Sequence, residues 1–173
     1  MTFNPVICSL AVLTMLGGCV SGAPAEPEPI KLEYLGDDNT ALTDDAPCIW
    51  VEDRRSRQAF YGVTVPSADA LSFMSDGITS RLRAKTRATD TVPGRGLLIS
   101  LLKAYINPNG TTLSAVVAIK VTWGERESVY RGQVVQTNWW GAEREISRTM
   151  SAALDEALLK INFPVTTSTC DQA

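Results

Sequence analysis

Thr112-Leu113-Ser114-Ala115-Val116-Val117-Ala118-Ile119-Lys120-Val121-Thr122-Trp123 is the stretch that decides the class of fold. Its odd positions, from Leu113 to Trp123, are all apolar. Its even positions are mostly polar or small (Thr112, Ser114, Lys120, Thr122). A period of two predicts a long β-strand with one face on a core and the other towards water. Working outward, Asn107-Pro108-Asn109-Gly110 is a turn signal on the N-terminal side. Before it, Leu97 to Ile106 is apolar on both parities, the pattern of a central strand. On the C-terminal side Gly124-Glu125-Arg126 turns the chain, and Ser128 to Gln136 reads as the partner strand. These three segments predict an antiparallel meander.

Two amphipathic segments flank the meander. In the first, Leu71, Met74, Ile78 and Leu82 recur at helical spacing, behind a Ser67 N-cap and with Asp69 in the first turn. That predicts a helix over about Ser67 to Thr86. The second, about Ala142 to Ile161, carries Ile146, Met150, Ala153, Ala157 and Ile161 along one stripe, and Asn162 and Pro164 end it. Upstream, Cys48 to Val51 is a short β-rich run that stops at Glu52-Asp53-Arg54-Arg55. Phe60 to Val65 has strand propensity until Pro66. The order β-α-β-β-β-α predicts an α+β fold: a two-layer sandwich, its antiparallel sheet covered on one face by both helices.

The N-terminus has a different character. Val6 to Leu16 is apolar apart from Ser9 and Thr14, too short to span a bilayer and of the right length for a signal-peptide core. Leu16-Gly17-Gly18-Cys19 follows and resembles the lipobox of bacterial lipoproteins, in which the cysteine becomes the acylated first residue. The region Met1 to Pro5 departs from that pattern in lacking Lys and Arg. The resemblance implies residues 1–18 as a signal peptide and Cys19 as the lipidation site. Two acyl chains at about 0.8 kcal/mol per buried methylene make release negligible. Val20 stands where an Asp commonly retains such proteins in the inner membrane, so the resemblance implies the outer membrane, on its periplasmic face. Ser21 to Pro29 is Pro-rich, Gly36 to Pro47 acidic and turn-rich, and Ile30 to Tyr34 between them alternates like a short strand or extended arm. Residues 19–47 are therefore expected to be a lipidated, flexible tether, and 48–173 one folded domain.

Composition excludes several functions. With 45% hydrophobic and 20% charged residues the chain is ordinarily globular. A net charge of −3 argues against nucleic acid as a partner. There is no histidine, which removes Ser-His and Cys-His catalysis and imidazole metal ligands. No metal site, cofactor or catalytic residue is expected.

Few residues stand out as candidate sites. Cys48 and Cys170 remain once Cys8 is removed and Cys19 acylated. In an oxidising compartment they are expected to form a disulfide closing a long loop, for which chain entropy gives roughly 4–5 kcal/mol; two free thiols are the other reading. Asp53, Arg54 and Arg55 read either as an anion-recognising patch for a partner or as a strand end with an internal Asp–Arg pair. Trp139 and Trp140 read either as an anchor for a partner or a lipid interface, or as rings packed over the open end of the sheet. Glu143, Glu145, Asp155 and Glu156 interleave with Arg144 and Arg148 and read as a solvated helix face.

Taken together, the lipobox, Val51-Glu52-Asp53-Arg54-Arg55, the helix over Leu71 to Leu82 and the meander resemble the YajG-like family of uncharacterised bacterial lipoproteins, over roughly residues 48–161. The Cys48/Cys170 pair departs from that pattern. The absence of any catalytic constellation, together with the tethered architecture, leads to the expectation of a lipid-anchored envelope protein, not an enzyme, that binds or scaffolds an envelope protein partner. The competing expectation is an accessory lipoprotein of a lipid or lipopolysaccharide transport or assembly machine. That role requires an apolar groove of about 300 Å³ or more between helices and sheet.

Overall fold

A computed structural model describes residues 28–36, 41–56, 59–60, 63–90, 96–109, 111–137 and 143–162. The elements are β1 (Glu28–Pro29), β2 (Cys48–Asp53), β3 (Ala59–Phe60), β4 (Val63–Thr64), α1 (Ser67–Leu82), β5 (Lys85–Ala88), β6 (Leu97–Asn109), β7 (Thr112–Trp123), β8 (Arg126–Thr137) and α2 (Glu143–Leu159). The main sheet has the order β5-β2-β6-β7-β8, and β1-β4-β3 forms a minor one. The expected α+β sandwich is what the chain adopts, with both helices contributing to one buried cluster on one face of the main sheet.

The sheet is mixed. β6, β7 and β8 form the antiparallel meander, while β2 lies parallel to both of its neighbours, β5 and β6. Burial explains how so short a strand can sit inside: Cys48, Ile49, Trp50, Val51 and Glu52 are all buried, on both faces. β5 falls where the sequence predicts the last turn of a helix. α1 instead ends at Leu82, and Arg83 takes a left-handed conformation (φ 52°) that turns Lys85–Ala88 back along β2. The expected Ser67 cap is also absent. Pro66 occupies the cap position and the Ser67 hydroxyl is used elsewhere.

β6 shows why apolar residues fall on both parities there. The pairing with β7 slips between Leu101 and Lys103. Leu97, Ile99 and Leu101 reach the core before the slip, Ala104 and Ile106 after it. A bulge moves the inward face by one residue, so the apolar parity must change with it. β7 matches its predicted bounds. Its outer face is drier than expected, with Val116, Ala118 and Thr122 buried. Flanked by β6 and β8, these shorter side chains lie below longer ones such as Lys103, Tyr105 and Arg131, which stand opposite them or nearby in register.

Between the layers the packing is dense. Phe73, Met74 and Ile78 from α1 meet Met150, Leu154 and Leu158 from α2, over Ile49, Ile99 and Ile119 of the sheet, all essentially inaccessible to water. Each such side chain contributes roughly 1.5–3 kcal/mol.

The folded body starts before residue 48. Ile30 to Leu35 runs as an arm along α2, with Leu32 and Tyr34 buried in the core cluster. The amides of Lys31, Glu33 and Leu35 donate in turn to Glu143 Oε1 (3.1 Å), Ser147 Oγ (3.3 Å) and Ser151 Oγ (2.9 Å). Tyr34 donates its hydroxyl to Asp155 Oδ1 at 2.7 Å. Glu143, Ser147, Ser151 and Asp155 are four apart, so one polar stripe of the helix accepts bonds from the arm, much as a neighbouring strand would. Arg81 of α1 completes the junction by pairing with Asp155. Tyr34→Phe is expected to lower stability by about 1–2 kcal/mol, measured by urea unfolding. Burial, then the bond to Asp155, already raises the Tyr34 hydroxyl above its ordinary pKa.

Candidate functional site

The end of β2 brings the charged run Glu52 to Arg55 against the start of α1 and the strand β6. Strand alternation separates its members. Glu52 points to the sheet face away from the helices, where it accepts from Ser100 Oγ and pairs with Arg54 Nε at 2.8 Å. Asp53 and Arg55 are enclosed together, their side chains 4% and 1% exposed. Arg55 forks onto Asp53, Nε to Oδ1 at 2.8 Å and Nη2 to Oδ2 at 2.7 Å. Its backbone amide also donates to Oδ1 (3.1 Å), and Nη2 reaches the carbonyl of Val65 (3.1 Å). Ser67 Oγ donates to Asp53 Oδ2 at 2.6 Å. Arg55 Nη1 is buried with no hydrogen-bond partner among the described residues.

Asp53 therefore ties three segments together: β2, the strand-like residue Val65 through Arg55, and the first turn of α1. Burial alone would raise the pKa of its carboxyl, but the hydrogen bonds from Arg55 and Ser67 outweigh burial and hold it below the ordinary carboxylate range. A folded pKa below the unfolded one adds stability above about pH 4, the unfolded value. That stability is lost as pH falls through the depressed folded value. Acid unfolding midpoints are expected to show this loss below about pH 4, and Asp53→Asn to flatten it.

Beside this cluster a cleft of about 340 Å³ is lined by Glu52, Asp53, Arg54, Ser67, Leu71, Ala88, Thr89 and Asp90. The Arg54 side chain is 47% exposed at its rim. Of the three charged residues among those read from sequence as partner-binding, the structure turns Asp53 and Arg55 inward and leaves Arg54 facing the solvent. The bonds from Asp53 to Arg55 and Ser67 are legible in the sequence only as an Asp followed two residues later by an Arg. The role of Ser67 has no sequence signal beyond its apparent cap position.

A second cleft, about 450 Å³, lies where the arm meets the start of α2 and is lined by Lys31, Glu33, Leu35, Glu143, Arg144 and Ser147. The carboxylates of α2 are structural contacts here. Glu143 and Asp155 hold the arm, and Glu156 pairs with Lys160 at 2.7 Å. Among the described residues there is no group of three His, Cys, Asp or Glu side chains arranged to hold a metal.

Cys48 is buried at the start of β2. Cys170, its expected partner, lies outside the described residues, as do Cys19, Trp139 and Trp140. Also among the described residues, no helix is long and apolar enough to cross a membrane.

No protein-family model matches the chain, and no curated protein matches it. Among solved structures the chain is similar to an uncharacterized protein, at TM-score 0.43 and 7% identity, covering 74% of this chain and 91% of that one. It is also similar to a PelC dodecamer from Paraburkholderia phytofirmans, at TM-score 0.40 and 12% identity, covering 68% and 90% respectively. Likeness at this level carries nothing about what the chain does.

Proposed function

We propose that the chain is an envelope lipoprotein, acylated at Cys19, whose folded domain serves as a non-enzymatic binding or scaffolding module. The observation that carries this reading is the apolar run Val6 to Leu16 followed directly by Gly17-Gly18-Cys19. The outer-membrane destination, the Cys48–Cys170 bridge and the YajG-like kinship belong to the same proposal. The arrangement at the end of β2 supports the non-enzymatic part. Asp53 and Arg55, the buried ionisable pair there, bond to each other and to α1, and Arg54 faces outward beside a cleft where a partner's carboxylate could meet it. The transport-accessory reading has less support, because the described space between helices and sheet is filled by side chains such as Phe73, Met150 and Leu154.

The test is mass spectrometry of the mature N-terminus together with cell fractionation. The expected result is an acylated Cys19 and a membrane-bound protein, with Cys19→Ala released from the membrane. Crosslinking in membranes is expected to recover one dominant protein partner with the wild type. An unmodified thiol, an intact leader, or identical distribution and contacts for both proteins would sink the proposal.

A further inference from the structure

The main sheet ends on β8, and among the described residues no strand pairs with its outer edge. A 12-residue edge is a long row of unsatisfied peptide groups. The chain guards one part of that row itself. Glu156 reaches round from α2 to accept the amide of Gln133 (3.0 Å), and Lys160 donates to the carbonyl of Arg131 (2.8 Å). These two bonds also fix the phase of the strand. Arg131 and Gln133 turn their peptide groups away from β7, so Glu127 and Val129 do the same. The side chains of these odd residues lie on the sheet face opposite the helices, where Val129 is 62% exposed.

We propose that Glu127 to Arg131 of β8 pairs antiparallel with the same segment of a second copy, about a twofold axis at Val129. It holds whether or not the chain is acylated. The register follows from charge and from the guard. Centred on Val129, the pairing sets Val129 against its own copy and Glu127 against Arg131 of the second copy, twice. Opposite charges directly across a strand pair are favourable, and like charges are not. Glu127 is exposed and already held towards this face by Lys120 (2.9 Å). Centring on Arg131 instead would oppose two arginines and would require the Gln133 amide that Glu156 occupies. With Val129 at the centre, Gln133 falls opposite the Gly124-Glu125 turn, so the guard stands where the pairing ends. The Arg131 carbonyl has a second lone pair, so Lys160 does not exclude a strand amide there.

Residues directly opposite in such a pair have Cα atoms about 5.5 Å apart, within the range a disulfide spans. The experiment is oxidative crosslinking of the full chain in cells carrying Val129→Cys or Val135→Cys, read on non-reducing gels. Val135 is 59% exposed on the same strand face and serves as the matched control. The expected result is a band at twice the monomer mass for Val129→Cys and a monomer for Val135→Cys. Adding either Glu127→Arg or Arg131→Glu is expected to abolish the Val129→Cys dimer, and adding both to restore it. Equal crosslinking at both positions, no dimer at Val129→Cys, or failure of the double reversal to restore it would overturn the proposal.

Discussion

Gly132→Ala is expected to destabilise the domain by about 3 kcal/mol or more, the largest effect expected of a methyl group added at Gly36, Gly77, Gly124 or Gly132. Gly132 lies in the middle of β8, where α2 crosses directly over the strand. A Cβ built there would stand 1.8 Å from the carbonyl oxygen of Ala153 and 2.8 Å from the amide nitrogen of Ala157. Both obstacles are backbone, so no side chain can rotate out of the way, and α2 as a whole has to lift. Lifting it opens the layer that holds Met150, Leu154 and Leu158 and loosens the contact of Glu156 and Lys160 with the strand edge. For a domain of this size the melting temperature should fall by roughly 6–12 °C, read by circular dichroism. Gly124→Ala is the informative contrast. Gly124 has a positive φ of 58° but nothing within 4 Å of a Cβ, so about 1 kcal/mol of backbone strain is all that is expected. Similar losses for the two would mean that close packing of α2 on β8 is not what makes Gly132 necessary.

Asp53→Ala is expected to cost about 3–5 kcal/mol, because it leaves the Arg55 guanidinium buried without its counter-charge. The wild-type pair is bidentate, and Ser67 and the Arg55 amide add two further bonds to the Asp53 carboxylate. Removing Ser67's hydroxyl should cost only about 1 kcal/mol, since Asp53 keeps its other donors. Replacing both members, as Asp53→Leu with Arg55→Met, is expected to recover much of the loss, because the large term is the orphaned charge and not the bond itself. Urea denaturation of the wild type, Asp53→Leu, Arg55→Met and the double variant gives the cycle. A loss below about 1 kcal/mol for Asp53→Ala would show that Arg55 escapes to water and that the pair does not hold β2 to α1.

Particular residues show how far the sequence could be read. β7 and the stripe on α2 stood out because every second or every third to fourth residue is apolar, and a half-buried surface enforces such periods. The guard at β8 and the arm on α2 were hidden by the same logic. Glu143, Asp155 and Glu156 look like any solvated helix face until the arm and the strand edge are brought to them. β5 was hidden because Lys85-Thr86-Arg87-Ala88 carries no apolar alternation; it becomes a strand through bonding to β2. In the candidate site the sequence supplied the charged run, but which of two adjacent arginines faces inward depends on strand phase and on what lies above.

What the sequence determined alone is the two-layer α+β class, the meander and the helices that cover it, since local periodicity specifies which face each element must bury. The tertiary structure decided the parallel placement of β2, the arm's docking, the enclosure of Asp53 with Arg55 and the close approach of α2 at Gly132. Each of these depends on groups far apart in the chain meeting at hydrogen-bond or van der Waals distance, and no local pattern encodes such a meeting.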